Sequence, residues 1–488
     1  MKNFYNYQDI INICQEDQII FALAINIYNF EAMQFKKNSR IHIISIGGSV
    51  MHDLAINLKK LGHIISGSDD MIYDPSKSNL KKYGLLPLNL GYYKQNISRK
   101  IDIVITGMHT KKNNIEIKES KKLKIPIYSY PEIIRNFSEN KHRIVIAGSH
   151  GKTTVTSMIM HVLKFNKINF DYLIGAKVST FKRNLKLSKD PIIIIEGDEY
   201  LTSPLDNQPK FLKYDHHIVL INGIEWDHYN VFKTEKKYKK QFHELIKKTP
   251  KGGEIIFYEK DENILELIQN VDEDLVTVRP YSEEKSLAKN GNTYVIDSEG
   301  KNHKIKLFGR HNMQNISAAK TVCEQLGIKD KRFFKAISTY QLPENRLQKI
   351  LDKKIKIFRD FAHSPSKLNS TIDAVKNNFE NKLLVIYELH SSSSFNVNFL
   401  PKYKNTINQA DDCILYLSQK ILDKNRIKNI DLSLLKRCFN NKKLKLINDR
   451  DSLFKIVSNI NYKTFNKLFM SSGNFDGLNF DQIINENK

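Results

Sequence analysis

A glycine-rich segment combines one lysine and two threonines in the order Gly148-Ser149-His150-Gly151-Lys152-Thr153-Thr154. Glycines allow a tight backbone turn whose N–H groups point inward, and a helix that follows such a turn offers its positive end to an anion. Lys152 is placed to reach the β- and γ-phosphates of a nucleotide, and the Thr153 hydroxyl can bind Mg²⁺. The general pattern GxxxxGK[ST] is not met, because Ile146 stands where its first glycine belongs. A shorter GxxGKTT form, between a predicted strand and a predicted helix, still favours a phosphate-binding loop over a chance glycine-rich turn.

Two polar motifs follow apolar stretches that are predicted to be strands. Residues 192–195 lead into Glu196-Gly197-Asp198-Glu199-Tyr200, and residues 218–221 lead into Asn222-Gly223-Ile224-Glu225-Trp226-Asp227-His228. Because parallel strands deliver their carboxyl ends to one edge of a sheet, both motifs are expected beside Lys152, where carboxylate oxygens can hold Mg²⁺. Alone, the first motif is more typical of a solvated acidic turn, and a lone histidine is more often structural. Three such strand ends together favour phosphate and metal chemistry.

The elements that must position these motifs are predicted to form three α/β units. The first contains a strand, a glycine turn, a helix and a strand at residues 41–46, 47–48, 51–61 and 63–66. A second opens with a strand at 143–147, and a third restarts after Arg346 with a strand at 355–358. Residues 260–305 are charged and only weakly patterned. We predict an extension at 1–39 and domains at 40–139, 140–348 and 349–488.

Composition narrows the class of protein further. The chain has 488 residues, 41% hydrophobic and 27% charged, which is typical of a multidomain globular protein. Lys and Arg number 77 against 53 Asp and Glu, and this charge of +24 suits phosphate-rich small molecules. Because the lysines are spread along the chain, no nucleic-acid partner is expected. The four cysteines form no CxxC pair, and the apolar stretch 19–27 is too short to span a bilayer, so we expect a cytoplasmic protein without a membrane partner.

Together, the three motifs resemble those of the Mur ligase family of peptidoglycan synthesis. Further segments match the family pattern in order: Gly309-Arg310-His311-Asn312-Met313-Gln314-Asn315, Asn345-Arg346, Asp360-Phe361-Ala362-His363-Ser364-Pro365 and Met470-Ser471-Ser472-Gly473-Asn474-Phe475. The resemblance extends from about residue 40 to residue 480. It implies an α/β fold of three domains: a Rossmann-like N-terminal domain that binds UDP, a central P-loop ATPase domain and a Rossmann-like C-terminal ligase domain.

The resemblance also implies a reaction, in which ATP activates a carboxylate to an acyl phosphate and an amine then attacks to form an amide. The implied ATP-binding residues are Gly148, Ser149, His150, Gly151, Lys152, Thr153, Thr154, His311, Asn312, Asn315, Arg346, Asp360 and His363. The implied Mg²⁺ ligands are Thr153, Glu199 and His228, and the implied catalytic residues are Lys152, Glu199, His228, Arg346 and Asp360. Several family members carry a carbamylated lysine after the Asp-His pair. His243 stands at that position here, so either another residue helps to bind a second metal ion or that feature is absent.

The N-terminal domain carries the implied binding site for the UDP substrate. Its residues are Gly47, Gly48, Ser49, Ser68, Asp69 and Asn114. The glycines would let the backbone approach a diphosphate, and Ser68-Asp69 could bind the ribose or the uracil. A nicotinamide dinucleotide site is the competing interpretation, since Asp69 lies about 20 residues beyond the glycines. Ser45 and Val50 replace two of the three glycines that such a site needs, which argues against it.

Within the family, the resemblance leaves two acceptors for the carboxylate of UDP-N-acetylmuramate. One is the tripeptide L-alanyl-γ-D-glutamyl-meso-diaminopimelate, which the segments 68–76, 107–114 and 198–211 favour, and the alternative is L-alanine. Two differences from the pattern of the tripeptide ligases weaken the case for the tripeptide. His390 replaces an expected Pro-Arg pair near the peptide pocket, and Leu201 replaces an Asp. A folate-polyglutamate ligase is more distant, because the glycine turn at 47–48 precedes the ATP core. The intact Lys152 and Glu199, with His228 and Asp360, argue against a non-catalytic basic binding protein.

Overall fold

The computed structural model describes residues 36–108, 110–229, 231–289, 292–425 and 430–487. Within them, helices alternate with three mainly parallel sheets, which confirms the predicted α/β class. The predicted extension 1–39 lies outside the described residues except for residues 36–39. Among the described residues, no helix is both long enough and apolar enough to cross a membrane.

The first sheet has four parallel strands, β1 (Arg40–Ile44), β2 (Ile64–Ser68), β3 (Ile103–Thr106) and β4 (Ile127–Ser129). Their order across the sheet is β2-β1-β3-β4. Ile41, Ile43 and Ile105 are fully buried in its core, as a strand covered on both faces requires. The glycine turn after β1 therefore lies at the carboxyl edge of this sheet.

The second sheet forms the centre of the molecule, and a short hairpin and a small antiparallel sheet are attached to it. Its strands and the hairpin are, in chain order, β5 (His142–Ala147), β6 (Asp171–Leu173), β7 (Leu185–Lys186), β8 (Ile192–Glu196), β9 (Leu201–Ser203), β10 (Asp206–Pro209), β11 (Ile218–Ile221), β12 (Glu254–Tyr258) and β13 (Thr277–Tyr281). The small sheet contains β14 (Ser286–Lys289), β15 (Asn292–Ile296) and β16 (Asn302–Ile305). The central order is β13-β12-β11-β5-β8-β6-β7, so the strands that precede the three polar motifs, β5, β8 and β11, are direct neighbours.

The third sheet has six strands, β17 (Gln348–Asp352), β18 (Lys356–Asp360), β19 (Leu383–Glu388), β20 (Asp412–Tyr416), β21 (Lys445–Ile447) and β22 (Asn466–Met470). Their order is β17-β18-β22-β19-β20-β21, and β17 alone is paired antiparallel. Asp360 ends β18, so the predicted motif 360–365 leaves the carboxyl edge of this sheet.

Helices cover the faces of the three sheets. They are α1 (Met51–Lys60), α2 (Ser76–Lys82), α3 (Ile115–Lys122), α4 (Tyr130–Phe137), α5 (Lys152–Phe165), α6 (Glu235–Lys247), α7 (Glu262–Ile268), α8 (Arg310–Gln325), α9 (Asp330–Ile337), α10 (Pro365–Asn378), α11 (Gln419–Asn425), α12 (Leu432–Phe439), α13 (Arg450–Val457) and α14 (Phe480–Glu486). Single 3₁₀ turns occur at Lys94–Asn96, Lys210–Lys213, Ser392–Phe395, Leu400–Tyr403 and Ile460–Tyr462. Pro365 suits the start of α10, because its fixed φ is helical and its missing N–H is not needed there.

The helix after the phosphate loop is the most deeply buried helix of the site. Val155, Met158 and Ile159 of α5 are fully buried, in one apolar cluster with Ile144 and Ile146 of β5. Burying side chains of this size stabilises a fold by about 1.5–3 kcal/mol each. The packing of α5 against β5 therefore fixes where the loop between them lies.

The weakly patterned region 260–305 contains more structure than the sequence indicates. It forms α7, β13 and the whole of the small antiparallel sheet. The strands of that sheet are mostly half-exposed, with Val295 and Ile305 as buried apolar side chains. Few apolar residues are needed to anchor such strands, so their sequence lacks a strong alternation.

Candidate active site

The phosphate loop lies between β5 and α5, where the sequence predicts it. Gly148 and Gly151 have φ values of 122° and 73°, in the region that glycine tolerates at low cost. A Cβ atom on Gly151 would overlap the side chains of Asn222 and Asn315. Asn222 donates to the His150 carbonyl (3.1 Å) and to Asn315 Oδ1 (2.9 Å). The strand-end motif after β11 and the predicted ATP-binding residue on α8 are therefore both in contact with the loop.

The ammonium group of Lys152 lies among carboxylates at the edge of the central sheet. Its Nζ donates to the Gly148 carbonyl (2.6 Å) and lies 2.7 Å from Glu199 Oε2. Burial alone would lower the pKa of Lys152, but the negative charges of Glu199 and Asp198 outweigh it and raise the pKa. Burial would raise the pKa of Glu199, but Lys152 and His228 together hold it well below its usual range. Both partners are therefore charged.

Three ligand-type side chains converge beside Lys152. Asp198, Glu199 and His228 have ligand atoms that all lie within 4.8 Å of one another, and His228 Nε2 is 3.2 Å from Glu199 Oε1. His228 has a φ of 54°, a left-handed conformation that is uncommon for a non-glycine residue and concentrates at functional sites. Burial would lower the pKa of His228, but the hydrogen bond to Glu199 and the charge of Asp227 raise it. Two carboxylates and one imidazole fit a divalent cation.

The predicted metal ligand Thr153 faces the end of β8. Its hydroxyl donates to Glu196 Oε1 (2.6 Å), and Glu196 Oε2 accepts from the Gly175 N–H (2.7 Å). Thr153 is only 6% exposed, and Arg346 Nη2 lies 3.4 Å from its hydroxyl. Thr153 and Glu199 are thus on the same edge of the sheet. Glu196, the first residue of the motif 196–200, is the hydrogen-bond partner of Thr153, a role that the sequence did not predict.

Tyr238 on α6 is a site residue that the sequence did not reveal. Its hydroxyl is 2.8 Å from Ser149 Oγ and 3.3 Å from Glu199 Oε1, so it joins the phosphate loop to the candidate metal ligands. Ser149 also donates to the Glu225 carbonyl (2.7 Å). His243, the position matching the family's carbamylated lysine, is 42% exposed, and its Nδ1 lies 3.8 Å from Glu244. The helix presents a tyrosine, five residues earlier, to the site.

The third sheet brings its own residues to this edge. Asp360 accepts hydrogen bonds from the Leu347 N–H (2.9 Å) and the Thr371 hydroxyl (2.6 Å), so it links the chain after Arg346 to α10. The Arg346 guanidinium lies 4.8 Å from the centre of the Phe361 ring. With its contact to Thr153, Arg346 therefore lies beside the first turn of α5, at the junction of the central and third sheets.

A second group of contacts crosses between the central and third sheets. Ser366 Oγ lies 2.7 Å from His150 Nε2, which is also 2.8 Å from Glu225 Oε2. Lys367 Nζ and His363 Nε2 lie 3.7 Å and 4.0 Å from Asp227 Oδ2. Burial lowers the pKa of His363 to about 3, so its ring is neutral. Lys367 was not predicted, because no sequence motif connects it to Asp227.

A cavity of about 470 Å³ lies on one side of His150, and a larger one of about 710 Å³ lies on the other. The larger cavity is lined by eight of the predicted ATP-binding residues, namely His150, Gly151, Thr154, His311, Asn312, Asn315, Arg346 and Asp360. Burial lowers the pKa of His311. Gly148, Ser149, Lys152, Thr153 and His363 do not line this cavity. Its walls come from α8 and α10, so it lies between the central and third sheets.

The predicted UDP-binding residues divide into an open group and a buried group. Gly48 and Ser49 are exposed at the carboxyl edge of the first sheet, and the Gly47 N–H donates to Asp69 Oδ2 (2.8 Å). Ser68 is 1% exposed and donates to Glu116 (2.5 Å), and Asn114 caps α3 by accepting from the Glu116 N–H (2.8 Å). The structure brings Gly47 and Asp69 together, whereas Ser68 and Asn114 make internal contacts.

Comparison with known proteins agrees with these observations. Two family models match, "Mur ligase family, catalytic domain" over residues 40–142 and "Mur ligase middle domain" over residues 146–323. A UDP-N-acetylmuramate–L-alanine ligase of Clostridium botulinum is 29% identical over 390 residues, which cover 78% of this chain and 83% of that protein. The UDP-N-acetylmuramate–L-alanyl-γ-D-glutamyl-meso-2,6-diaminoheptandioate ligase of Escherichia coli is 28% identical over 345 residues, covering 69% and 75%.

A solved structure extends the similarity to the whole fold. The crystal structure of a murein peptide ligase from Psychrobacter arcticus covers 92% of this chain and 99% of its own, with a TM-score of 0.63 and 23% identity. The predicted three-domain α/β architecture is thereby confirmed, and so is the predicted class of enzyme, an ATP-dependent, ADP-forming ligase of peptidoglycan synthesis. With two family domains matched in order and a phosphate loop, carboxylates and histidine joined at one sheet edge, this chain belongs to the Mur ligase family.

Proposed function

We propose that this chain joins the carboxylate of UDP-N-acetylmuramate to the amine of the tripeptide L-alanyl-γ-D-glutamyl-meso-diaminopimelate, at the expense of Mg²⁺–ATP. The proposal rests on the position of the segment 198–211, whose sequence favours the tripeptide as the acceptor. The rings of Tyr200 and His228 pack in a T-shaped arrangement, with 5.2 Å between their centres, and Lys210 lies 2.5 Å from Asp198. The segment 198–211 therefore contains two of the candidate metal ligands and contacts the third, His228, where the activated carboxylate is proposed to lie.

The reaction has two steps. In the first, a carboxylate oxygen of UDP-N-acetylmuramate attacks the γ-phosphorus of ATP, and the bond from that phosphorus to the β,γ-bridging oxygen breaks, so ADP leaves with the electron pair. In the second, the acceptor amine attacks the carbonyl carbon of the acyl phosphate, the amide bond forms, phosphate leaves with the C–O bond electrons, and the amine proton goes to solvent or phosphate. Positioning and charge neutralisation are the main contributions a protein makes to such phosphoryl transfer.

In this proposal, ATP occupies the larger cavity, with its adenine between α8 and α10 near His311 and Asn312 and its phosphates toward Gly151 and Lys152. Glu199 and His228, with Thr153, would hold Mg²⁺, which would neutralise phosphate charge when bound. Arg346 and Asp360 contribute from the start of the third domain. Lys152 holds the γ-phosphate, because it is the charged group at the N-terminus of α5.

The UDP substrate is proposed to bind the first sheet at Gly47, Gly48 and Ser49, with its uridine toward Asp69. Burial raises the pKa of Asp69, whose Oδ2 already accepts from the Gly47 N–H, so this carboxylate fixes the turn that would face a diphosphate. The domain boundaries at 40–139, 140–348 and 349–488 are retained as part of the proposal. The partners are small molecules throughout.

L-Alanine is the second candidate acceptor. The relative from Clostridium botulinum, which carries the L-alanine name, covers more of this chain than the relative from Escherichia coli, 78% against 69%. His390 also stands where the tripeptide enzymes have a Pro-Arg pair.

An acceptor assay separates the two candidates. The enzyme is incubated with UDP-N-acetylmuramate, Mg²⁺–ATP and either L-alanine or the tripeptide, and phosphate release and the mass of the UDP product are measured. We expect release with the tripeptide and a product heavier by the tripeptide less one water. Release with L-alanine alone would replace the first candidate by the second, and release with neither acceptor would contradict both.

A further inference from the structure

The side chain of Lys367 occupies a position for which the family resemblance assigns no role. It lies in the first turn of α10, on the third domain, and extends toward the central domain, where its Nζ is 3.7 Å from Asp227 Oδ2. It also lines the larger cavity, together with Gly151, Thr154 and Arg346. The ammonium is therefore at the phosphate-loop end of the space proposed for ATP.

The contact with Asp227 leaves the ammonium group of Lys367 available for a ligand. A separation of 3.7 Å exceeds the 2.7–2.9 Å of a charge-assisted hydrogen bond. Asp227 also accepts from the His228 N–H (2.7 Å), and the His363 ring lies 4.0 Å away, so this carboxylate has competing partners. Among the described residues, Asp227 is the carboxylate within 4.0 Å of the Lys367 ammonium.

Three cationic side chains from separate segments meet at this end of the cavity. Lys152 comes from α5 and is neutralised by Glu199 at 2.7 Å. Arg346 comes from the link between the domains and contacts the Thr153 hydroxyl and the Phe361 ring, neither of which is an anion. Lys367 comes from the third domain. Neither Arg346, through these two contacts, nor Lys367, at 3.7 Å from Asp227, has a closely bound anionic partner, which favours an anion between these groups.

We propose that Lys367 binds the phosphoryl group that is transferred, first as the γ-phosphate of ATP and then as the phosphate of the acyl phosphate. Asp227 orients the ammonium before the nucleotide arrives. Because Lys367 belongs to the third domain and Lys152 to the central domain, a γ-phosphate between them holds the two domains together, whereas ADP does not reach Lys367. The inference rests on the proposed function, since it requires ATP in the larger cavity.

The test compares nucleotides that differ only in the γ-phosphate. The affinities of Mg²⁺–ADP and of a non-hydrolysable ATP analogue are measured by titration calorimetry for the full chain and for Lys367→Met, which keeps most of the length of the side chain without its charge. We expect the analogue to bind about 10- to 100-fold more weakly to the variant, as the loss of one charged hydrogen bond predicts, and ADP to bind within about twofold of its original affinity.

Two further variants sharpen the comparison. Lys367→Arg keeps the charge and is expected to restore most of the preference for the analogue. Lys376→Met, on the same helix but paired with Asp411 at 2.7 Å, is the matched control and should bind both nucleotides normally. Equal weakening of ADP and the analogue by Lys367→Met would reduce Lys367 to a structural ion-pair partner of Asp227 and overturn the proposal, and so would no change in either. If the original protein binds neither nucleotide, the proposed function fails as well.

Discussion

At the scale of single residues, the site is a set of buried charges that neutralise one another in pairs. Lys152 is matched by Glu199, and Glu199 by His228, with distances of 2.7 Å and 3.2 Å. In a buried pair, the loss of one partner leaves the other charge unneutralised, which costs more than the pair contributes. Substitutions here are therefore expected to affect both turnover and stability.

Replacing Lys152 by methionine is expected to lower kcat by at least about 100-fold, because the group that neutralises the γ-phosphate is removed. The variant should still fold, since His228 remains to neutralise Glu199, with a loss of about 1–3 kcal/mol in the free energy of unfolding. Phosphate release and urea denaturation measure the two effects. Lys164→Met, at the other end of α5, is the control and should retain full turnover; full turnover in Lys152→Met would refute the loop's assigned role.

Replacing Gly151 by alanine tests the close packing of the phosphate loop. Gly151 and Gly252 have φ values of 73° and 76°, so an alanine at either position incurs a similar left-handed strain of about 1 kcal/mol. A Cβ at Gly252 meets nothing within 4 Å, whereas at Gly151 it overlaps Asn222 and Asn315. We expect Gly151→Ala alone to lose nucleotide affinity, measured by calorimetry. The same loss in Gly252→Ala would show that strain, not overlap, is responsible.

The parts of the site that could be predicted from the sequence are those made by consecutive residues. The loop 148–154 and the motifs after β8 and β11 are continuous, so their residue types and spacing carry the signal. Tyr238 and Lys367 could not be predicted, because one reaches Glu199 through the packing of α6 and the other reaches Asp227 through a contact between domains. Such partners are separated from the loop by tens to hundreds of residues, and nothing in the intervening sequence specifies them.

At the scale of elements, each motif is held by the helix or strand beside it. Apolar strands such as β5 and β11 could be predicted because both of their faces are buried. The helix α7 was missed, yet it has a direct role: its N-cap residue Asp261 accepts from the Asn263 N–H (2.9 Å) and also from the Ile224 N–H (2.7 Å). One carboxylate thus caps a helix and fixes the loop that carries His228.

Replacing Asp261 by alanine is expected to cost about 1–3 kcal/mol of stability and to lower kcat severalfold, because the helix cap and the tether to the loop 222–228 are lost together. The matched control is Asp449→Ala. Asp449 caps α13 by accepting from the Ser452 N–H (2.8 Å) and is exposed, so its loss should cost about 1 kcal/mol and leave kcat unchanged. Urea denaturation and initial rates distinguish the two; equal effects of both variants would contradict the tether.

At the scale of the whole molecule, the formal charge of +24 and the charge of the proposed substrates have opposite signs. UDP-N-acetylmuramate and ATP are both anions, so long-range attraction is expected to speed their encounter with the protein. This attraction is screened over about 10 Å at 0.1 M salt. The contacts inside the cavity are shorter than this distance and should respond much less.

Raising the salt concentration from 50 to 300 mM KCl is therefore expected to lower kcat/KM for both nucleotide substrates by about 3- to 10-fold, while kcat stays within about twofold. Initial rates at several substrate concentrations separate the two constants. Sucrose at equal osmolarity is the uncharged control and should change neither. A fall in kcat equal to the fall in kcat/KM would indicate that salt acts on the catalytic step or on the fold.

The contact between His150 and Ser366 has a further consequence for the working cycle of the enzyme. His150 belongs to the loop that is proposed to bind the nucleotide, and Ser366 belongs to the third domain, so nucleotide exchange is expected to require this contact to break. A tighter contact would lengthen the residence time of ADP, and a looser one would shorten the lifetime of the acyl phosphate by admitting water. Fast release of ADP therefore requires a weak contact at His150 Nε2, whereas protection of the acyl phosphate from water requires a strong one.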